Sequence, residues 1–211
     1  DYLLEVTKVN NPVIVKTIVS SDMVKEIAKQ NNATLKEVLT GFKFIGEQIA
    51  LLENNNELDR YLIGFEESCG YLTGTRVRDK DAINACLIVS DLANHYHKQG
   101  ISVIDHLNDL YKKYGYSETS LMSFSFPGED GMNKMGSIMK SLRNMKFDNV
   151  EFVEDYLAKT RTYNDHVEEL TLPSSDVMKL TYKDNSTLTI RPSGTEPKIK
   201  VYFYITGKDI N

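Results

Sequence analysis

Short β-branched runs alternate with segments of helical spacing through the first part of the chain, and that order restricts the fold more than any other feature. Val13-Ile14-Val15 follows a turn at Asn10-Asn11-Pro12 and reads as a buried strand presenting Lys16 and Thr17 at its end. Ser20, Ser21 and Asp22 are N-cap residue types ahead of Met23 to Lys29, where Val24, Ile27 and Ala28 share one helical face; Asn31-Asn32 stops the run. Val38-Leu39 leads into Thr40-Gly41-Phe42-Lys43-Phe44-Ile45-Gly46, helical spacing resumes from Glu47 to Glu53, and Tyr61 to Phe65 reads as the next strand. Parallel strands need a crossover between them, so strands separated by helices predict a parallel α/β layer.

Asp79 or Asp81 is placed to cap a long helix from Ala82 to His97. Ile83, Cys86, Leu87, Val89, Ser90, Leu92 and Ala93 leave it little polar face, which predicts burial between neighbours. Gly100 suits its left-handed stop, Ser102 opens a further helix carrying Val103, Leu107, Leu110 and Tyr111, and Gly115 ends that one. From Tyr116 the character changes. Phe124, Phe126, Pro127 and Gly128 suggest a strand and turn, Gly131 to Met145 a Met-rich helix, and Pro173, Ser174 and Asp176 a linker-like stretch. The tail alternates over Val177 to Tyr182, Thr187 to Ile190 and Lys198 to Ile205, an antiparallel meander in an α+β domain. The expected division is residues 1–117 and 118–211, with the boundary near Tyr116 to Ser120.

Composition narrows the function classes. A net charge of −5 opposes a polyanionic partner, so nucleic acid is not expected. Hydrophobic content of 41% beside 26% charged residues describes a chain that folds. The two cysteines, Cys69 and Cys86, and the four histidines show no metal-ligand spacing, so no metal site and no disulfide framework are expected. No apolar run is long enough for a membrane span and no secretory leader is evident, which points to the cytoplasm. No Met precedes Asp1, and Tyr2, Leu3, Leu4 and Val6 read as a helix already under way, so the sequence reads as part of a longer protein.

Two loops carry chemistry. Arg191-Pro192-Ser193-Gly194-Thr195-Glu196-Pro197-Lys198 has the ingredients of a phosphate cradle: a forked guanidinium, two hydroxyls, and a glycine that admits backbone N–H groups to an anion. Composition alone leaves an unliganded polar loop equally open. Gly64-Phe65-Glu66-Glu67-Ser68-Cys69-Gly70 sets two carboxylates and a hydroxyl at a strand end, where α/β sheets bind ligands and where sugar hydroxyls find acceptors. Solvated acidic turns with no ligand use the same residues.

Read together and in order, Val15-Lys16-Thr17, Thr40 to Gly46, Gly64 to Gly70, Arg78-Asp79-Lys80-Asp81 and Arg191 to Lys198 make the sequence similar to the α-D-phosphohexomutase family of phosphoglucomutases and phosphomannomutases, over nearly the whole chain. The branch with a Gly-Phe-Glu-Glu-Ser loop matches in particular. The resemblance implies a four-domain parent, with this chain holding an N-terminally truncated third α/β domain and the TATA-binding-protein-like α+β C-terminal domain. It implies sugar contacts at Glu66 and Ser68, with Thr40 and Gly41 shaping the pocket and Phe42 and Lys43 at its edge. It implies distal phosphate contacts at Arg191, Ser193, Gly194 and Thr195, a further substrate contact at Lys16, and proton transfer by Lys80. The implied reaction moves a phosphoryl group between an enzyme phosphoserine and a phosphorylated hexose through a hexose 1,6-bisphosphate, with Mg²⁺ at the phosphoserine. Neither a Ser-His-Asn-Pro type loop nor an Asp-x-Asp-x-Asp metal loop occurs in residues 1–211, so the chain by itself is expected to be inactive and to need the N-terminal domains as partners. A stand-alone phosphosugar-binding module is the alternative.

Overall fold

The computed structural model describes residues 1–164 and 166–207; the last four residues of the expected second domain lie outside the described residues. Contacts divide the chain into Asp1–Tyr116 and Ser117–Asn211.

In chain order the first unit contains α1 (Tyr2–Val6), β1 (Val13–Thr17), α2 (Met23–Gln30), β2 (Thr34–Val38), α3 (Phe42–Asn54), a 3₁₀ turn (Leu58–Arg60), β3 (Tyr61–Glu66), β4 (Gly70–Leu72), α4 (Ala82–His97) and α5 (Val103–Tyr114). The sheet order is β2-β1-β3-β4. β1 runs parallel to both of its neighbours, and β4 turns back antiparallel on β3. A central parallel strand has both faces covered, which is why β1 opens on an unalternating apolar run, Val13-Ile14-Val15, and is buried throughout. Val13 and Val15 face Ile45, Ile49 and Leu52 of α3, while Ile14 faces Ala28 and Leu62 on the other side.

Two local expectations change. Helix α3 starts at Phe42, five residues before the Glu47 from which helical spacing was expected, because Gly41 at φ +128° supplies the break in front of it. Helix α4 is not buried between neighbours. Its start is fixed where Asp81 caps Asn84 N–H (2.9 Å) and Asn84 Oδ1 accepts from Thr73 N–H (2.8 Å), and its end where the buried Tyr96 donates to Glu5 Oε2 (2.9 Å). Between those anchors Ile83, Leu87 and Val89 stand 84%, 58% and 62% exposed. Helix α5 starts as expected, with Ser102 and Asp105 forming a capping box and Gly115 at φ +100° following its end.

The second unit contains β5 (Tyr116–Ser125), α6 (Gly131–Arg143), β6 (Val150–Asp155), β7 (Thr160–Tyr163), β8 (His166–Glu169), β9 (Met178–Tyr182), β10 (Thr187–Pro192) and β11 (Lys198–Gly207). Its sheet order is β5-β11-β10-β9-β6-β7-β8. The meander expected from the tail is its centre, β9 to β11. Met135 and Met139 of α6 pack on Met178, Ile190 and Ile199, so the Met-rich stripe is the helix's core face. Strands β6 to β8 had no sequence counterpart in the reading above. Their segment, Val150 to Glu169, is crowded with charged residues, and the edge strand β8 is exposed throughout, so no apolar alternation marks it.

Candidate functional site

Glu66 ends β3 and begins a hairpin turn to β4, with Gly70 as its register partner. Cys69 takes φ +49° to close the turn. A Cβ at Gly70 would stand 3.2 Å from Glu66 Cβ and 3.3 Å from Lys80 Cδ, so the glycine lets the turn close on both side chains. Glu66 is only 5% exposed. Its Oε1 accepts the Gly41 N–H at 2.7 Å, and its Oε2 pairs with Lys80 Nζ at 3.1 Å. One carboxylate therefore clips three segments: the end of β3, the turn into α3, and the strand-to-helix connection carrying Lys80. Its negative charge also sits at the N-terminus of α3, where the helix dipole favours it.

Around this clip the expected residues separate. Ser68 and Glu67 are exposed on the turn, with Ser68 Oγ donating to Glu67 Oε1 at 3.0 Å. Thr40 Oγ1 is enclosed and makes no hydrogen bond in the structure. Lys43 is exposed and lies 4.8 Å over the Phe44 ring. Phe42, expected at the edge of the pocket, is instead a core residue packed with Ile45 and Tyr61.

Lys16 also departs from its expected place. It and Thr17 are fully buried rather than presented at a strand end. The ammonium contacts Asp22 Oδ1 (2.6 Å), Glu37 Oε1 (3.0 Å), Ser20 O (3.0 Å) and Thr17 O (3.3 Å). A buried charge must be paired, and the pairing here is to the protein's own carboxylates and carbonyls. The same carboxylates hold Lys25, at 3.0 and 3.5 Å; burial pulls its pKa down, but the charges of Asp22 and Glu37 more than offset this and leave it above the ordinary lysine value. Asp22, expected as a cap of α2, makes no side-chain cap bond because its carboxylate is engaged by the two lysines.

The Arg191 loop joins β10 to β11. Ser193 N–H donates to Lys198 O (2.8 Å), while Ser193 Oγ accepts from the amides of Thr195 (3.4 Å) and Glu196 (3.3 Å), folding the turn on itself. Gly194 and Thr195 are exposed at its tip. An added Cβ at Gly194 would meet nothing within 4 Å, so the fold itself does not require glycine there. Arg191 is half-buried and makes no ion pair among the described residues. Lys200 lies directly opposite it across the strand pair, also without an ion pair among the described residues. Like charges facing each other across a ladder are unfavourable until an anion joins them. Lys200 was missed in the sequence because nothing but strand register links it to Arg191.

Among the described residues, no group of three or more His, Cys, Asp or Glu side chains is placed to hold a metal, and no helix is long and apolar enough to cross a membrane. Residues 1–114 match the family described as phosphoglucomutase/phosphomannomutase, alpha/beta/alpha domain III, and residues 142–208 match the phosphoglucomutase/phosphomannomutase C-terminal domain. A phosphoglucomutase of Staphylococcus haemolyticus is 36% identical over 95% of this chain and 37% of its own length; one of Staphylococcus aureus is 33% identical over 98% and 38%. The pp63/parafusin structure from Paramecium covers 93% of this chain and 34% of its own, with TM-score 0.65 and 21% identity. A phosphoglucomutase/phosphomannomutase family protein from Burkholderia thailandensis covers 99% and 36%, with TM-score 0.60 and 13% identity. The structural likenesses speak for the fold alone. The chain belongs to the phosphoglucomutase/phosphomannomutase family, and it spans little more than a third of the length of these relatives.

Proposed function

We propose that this chain is the sugar- and phosphate-gripping part of an intramolecular phosphotransferase that interconverts hexose 1-phosphate and hexose 6-phosphate. In that reaction the P–O bond of an enzyme phosphoserine breaks as a sugar hydroxyl bonds to phosphorus and gives up its proton. The resulting hexose 1,6-bisphosphate turns over and returns its other phosphate to the serine. The phosphoserine and the residues for Mg²⁺, which would offset charge there, belong to the N-terminal domains, so this chain alone is inactive. A cytoplasmic location fits phosphorylated sugars as substrates.

The observation that carries the reading is the Arg191–Lys200 pair beside the Ser193-Gly194-Thr195 turn: two cross-strand cations with no ion pair among the described residues, next to hydroxyls and an unhindered glycine. The ligand must bind in two orientations, so a grip on whichever phosphate is distal serves both half-reactions. Glu66 and Ser68 take sugar hydroxyls. Lys80 is tied to Glu66, so proton transfer by its ammonium at the reacting hydroxyl requires breaking that pair first.

Amide NMR of the chain titrated separately with glucose 1-phosphate, glucose and inorganic phosphate tests this. Shifts at both loops with glucose 1-phosphate are expected. Shifts at the Arg191 loop alone, equal for inorganic phosphate, would remove the sugar assignment, and silence at both would overturn the reading for this chain.

A further inference from the structure

A lysine carries its charge on a long flexible stem, so where the ammonium can go depends on where the backbone beneath it is held. Lys80 lies in the connection from β4 to α4, and that connection is held on both sides of it. After Lys80, Asp81 N–H donates to Tyr71 O (3.0 Å) and the Asp81 carboxylate caps Asn84. At Lys80 itself the backbone N–H donates to Asp79 Oδ1 (2.7 Å), and Gly70 leaves room for the stem. Before it stands Arg78, whose carbonyl oxygen lies against Gly46 in the second turn of α3: a Cβ on Gly46 would come within 2.9 Å of that oxygen, closer than packed atoms allow. Glycine weakens a helix interior, so Gly46 serves an approach that alanine would block.

From the same residue, Arg78 Nη2 reaches Glu53 Oε2 at 2.8 Å, seven positions beyond Gly46 and on the same face of α3. That ion pair is partly exposed and holds little by itself, but Arg78 Nη1 is enclosed without a hydrogen bond, so packing as well as charge places the side chain. Glu53 is near the C-terminal end of α3 and Glu66 meets its N-terminal end, so the guanidinium acts through the Lys80 segment and not on a ligand at Glu66. The start of the same helix gives the Gly41 N–H to Glu66 Oε1 at 2.7 Å. One rigid element thus sets both partners of this carboxylate, Gly41 directly and Lys80 through the segment resting on Gly46.

We propose that Gly46 and Arg78 are positioning residues for Lys80: they seat the connection of residues 73–81 on α3 where the Lys80 ammonium meets Glu66 Oε2. The value of this seat to catalysis rests on the proposed function, in which Glu66 takes a sugar hydroxyl and Lys80 serves the reacting one. With its backbone held, Lys80 exchanges one partner for the other by side-chain rotation alone.

A double-mutant cycle read at the Gly41 amide, which reports on Glu66, tests the seat. In the chain without ligand, Lys80→Met should displace this resonance, because Glu66 loses the ammonium on its other oxygen. In a Gly46→Ala background the response to Lys80→Met should be lost, the ammonium having already left. Alanine is the better helix former, so a role confined to α3 would raise stability and keep the full Lys80 response, and that result would overturn the proposal. Should Gly46→Ala fail to fold, Arg78→Ala takes its place: a diminished response, restored in Arg78→Lys, supports the proposal, and a full response sinks it. Titrating the same chains with glucose 1-phosphate and with inorganic phosphate keeps the seat and the proposed function apart. Gly46→Ala should weaken glucose 1-phosphate binding by roughly two- to tenfold, the worth of one hydrogen bond, and leave inorganic phosphate at the Arg191 loop unchanged. A lost Lys80 response with undiminished glucose 1-phosphate affinity would uphold the seat and overturn the sugar reading of Glu66.

Discussion

The Glu66 turn and the Arg191 turn are both polar loops at strand ends, yet their charges are treated in opposite ways. Glu66 is almost wholly enclosed, and each of its oxygens has a protein partner. Arg191 and Lys200 face each other with no ion pair among the described residues. The first loop is organised by its charge before any ligand arrives; the second is left unsatisfied. Such a contrast separates a residue that builds a site from residues that wait for an anion, and substitutions should sort accordingly.

The largest effect is expected at the waiting loop. Arg191→Ala should remove most phosphate affinity, about 2–3 kcal/mol for a charge-assisted, forked contact, with little change in thermal stability. Isothermal titration with glucose 1-phosphate and a parallel melting curve check both halves. Unchanged affinity would move the phosphate grip elsewhere.

Glu66→Ala should show the reverse balance. Removing the clip leaves the Gly41 amide and Lys80 without their partner, and the chain should lose roughly 1–3 kcal/mol in urea unfolding. The Gly41 amide resonance should move upfield as its 2.7 Å bond disappears. A variant as stable as the parent would show that the clip is a by-product of packing and would erase the contrast.

The sequence made the fold legible where burial imposes a pattern. The apolar run of β1, the Ser102 start of α5 and the alternation in β9 to β11 each state their element locally. Charged strands β6 to β8 did not, because strand pairing, which no local pattern records, makes them strands. In the site, Glu66 and Arg191 were legible as residue types in recognisable loops. Their surroundings were not: the Glu66 contacts to Gly41 and Lys80 and the Arg191–Lys200 pairing join segments distant in sequence. Lys16 misled for a related reason. A lysine at a strand end reads as ligand-facing, but Asp22 and Glu37 fold back over it.

Acid should separate the two units. His106 stacks on the Tyr96 ring at 3.8 Å, and burial lowers its pKa below the ordinary 6.5. Glu5 is also held below its ordinary 4.5, first by its hydrogen bond with His95 and then by that from Tyr96. Both groups bind protons more weakly folded than unfolded, so the stability they contribute is present above their unfolded pKa values and lost as pH falls. Between pH 7.5 and pH 5.5 only His106 crosses its ordinary value, so probes in the first unit should report unfolding at slightly lower urea at pH 5.5, with the Glu5 contribution lost only below about pH 4.5. Resonances of the Arg191 turn should follow less. Equal sensitivity of both units would show that these groups do not set the acid response.

The smallest effect is the most discriminating, because its two halves have opposite signs. Lys200 faces Arg191 across the ladder, so in the absence of phosphate the pair repels. Lys200→Gln should stabilise the phosphate-free chain by about 0.2–1 kcal/mol, the usual range for a cross-strand pair, while weakening phosphate binding. If Lys200 served only to cover its strand with its aliphatic stem, glutamine would lower stability and leave binding alone. Measuring melting with and without inorganic phosphate decides between them. A crossing of the two variants' stabilities as phosphate is added would mean that the turn carries a standing repulsion that its anion relieves, and parallel curves would mean that it does not.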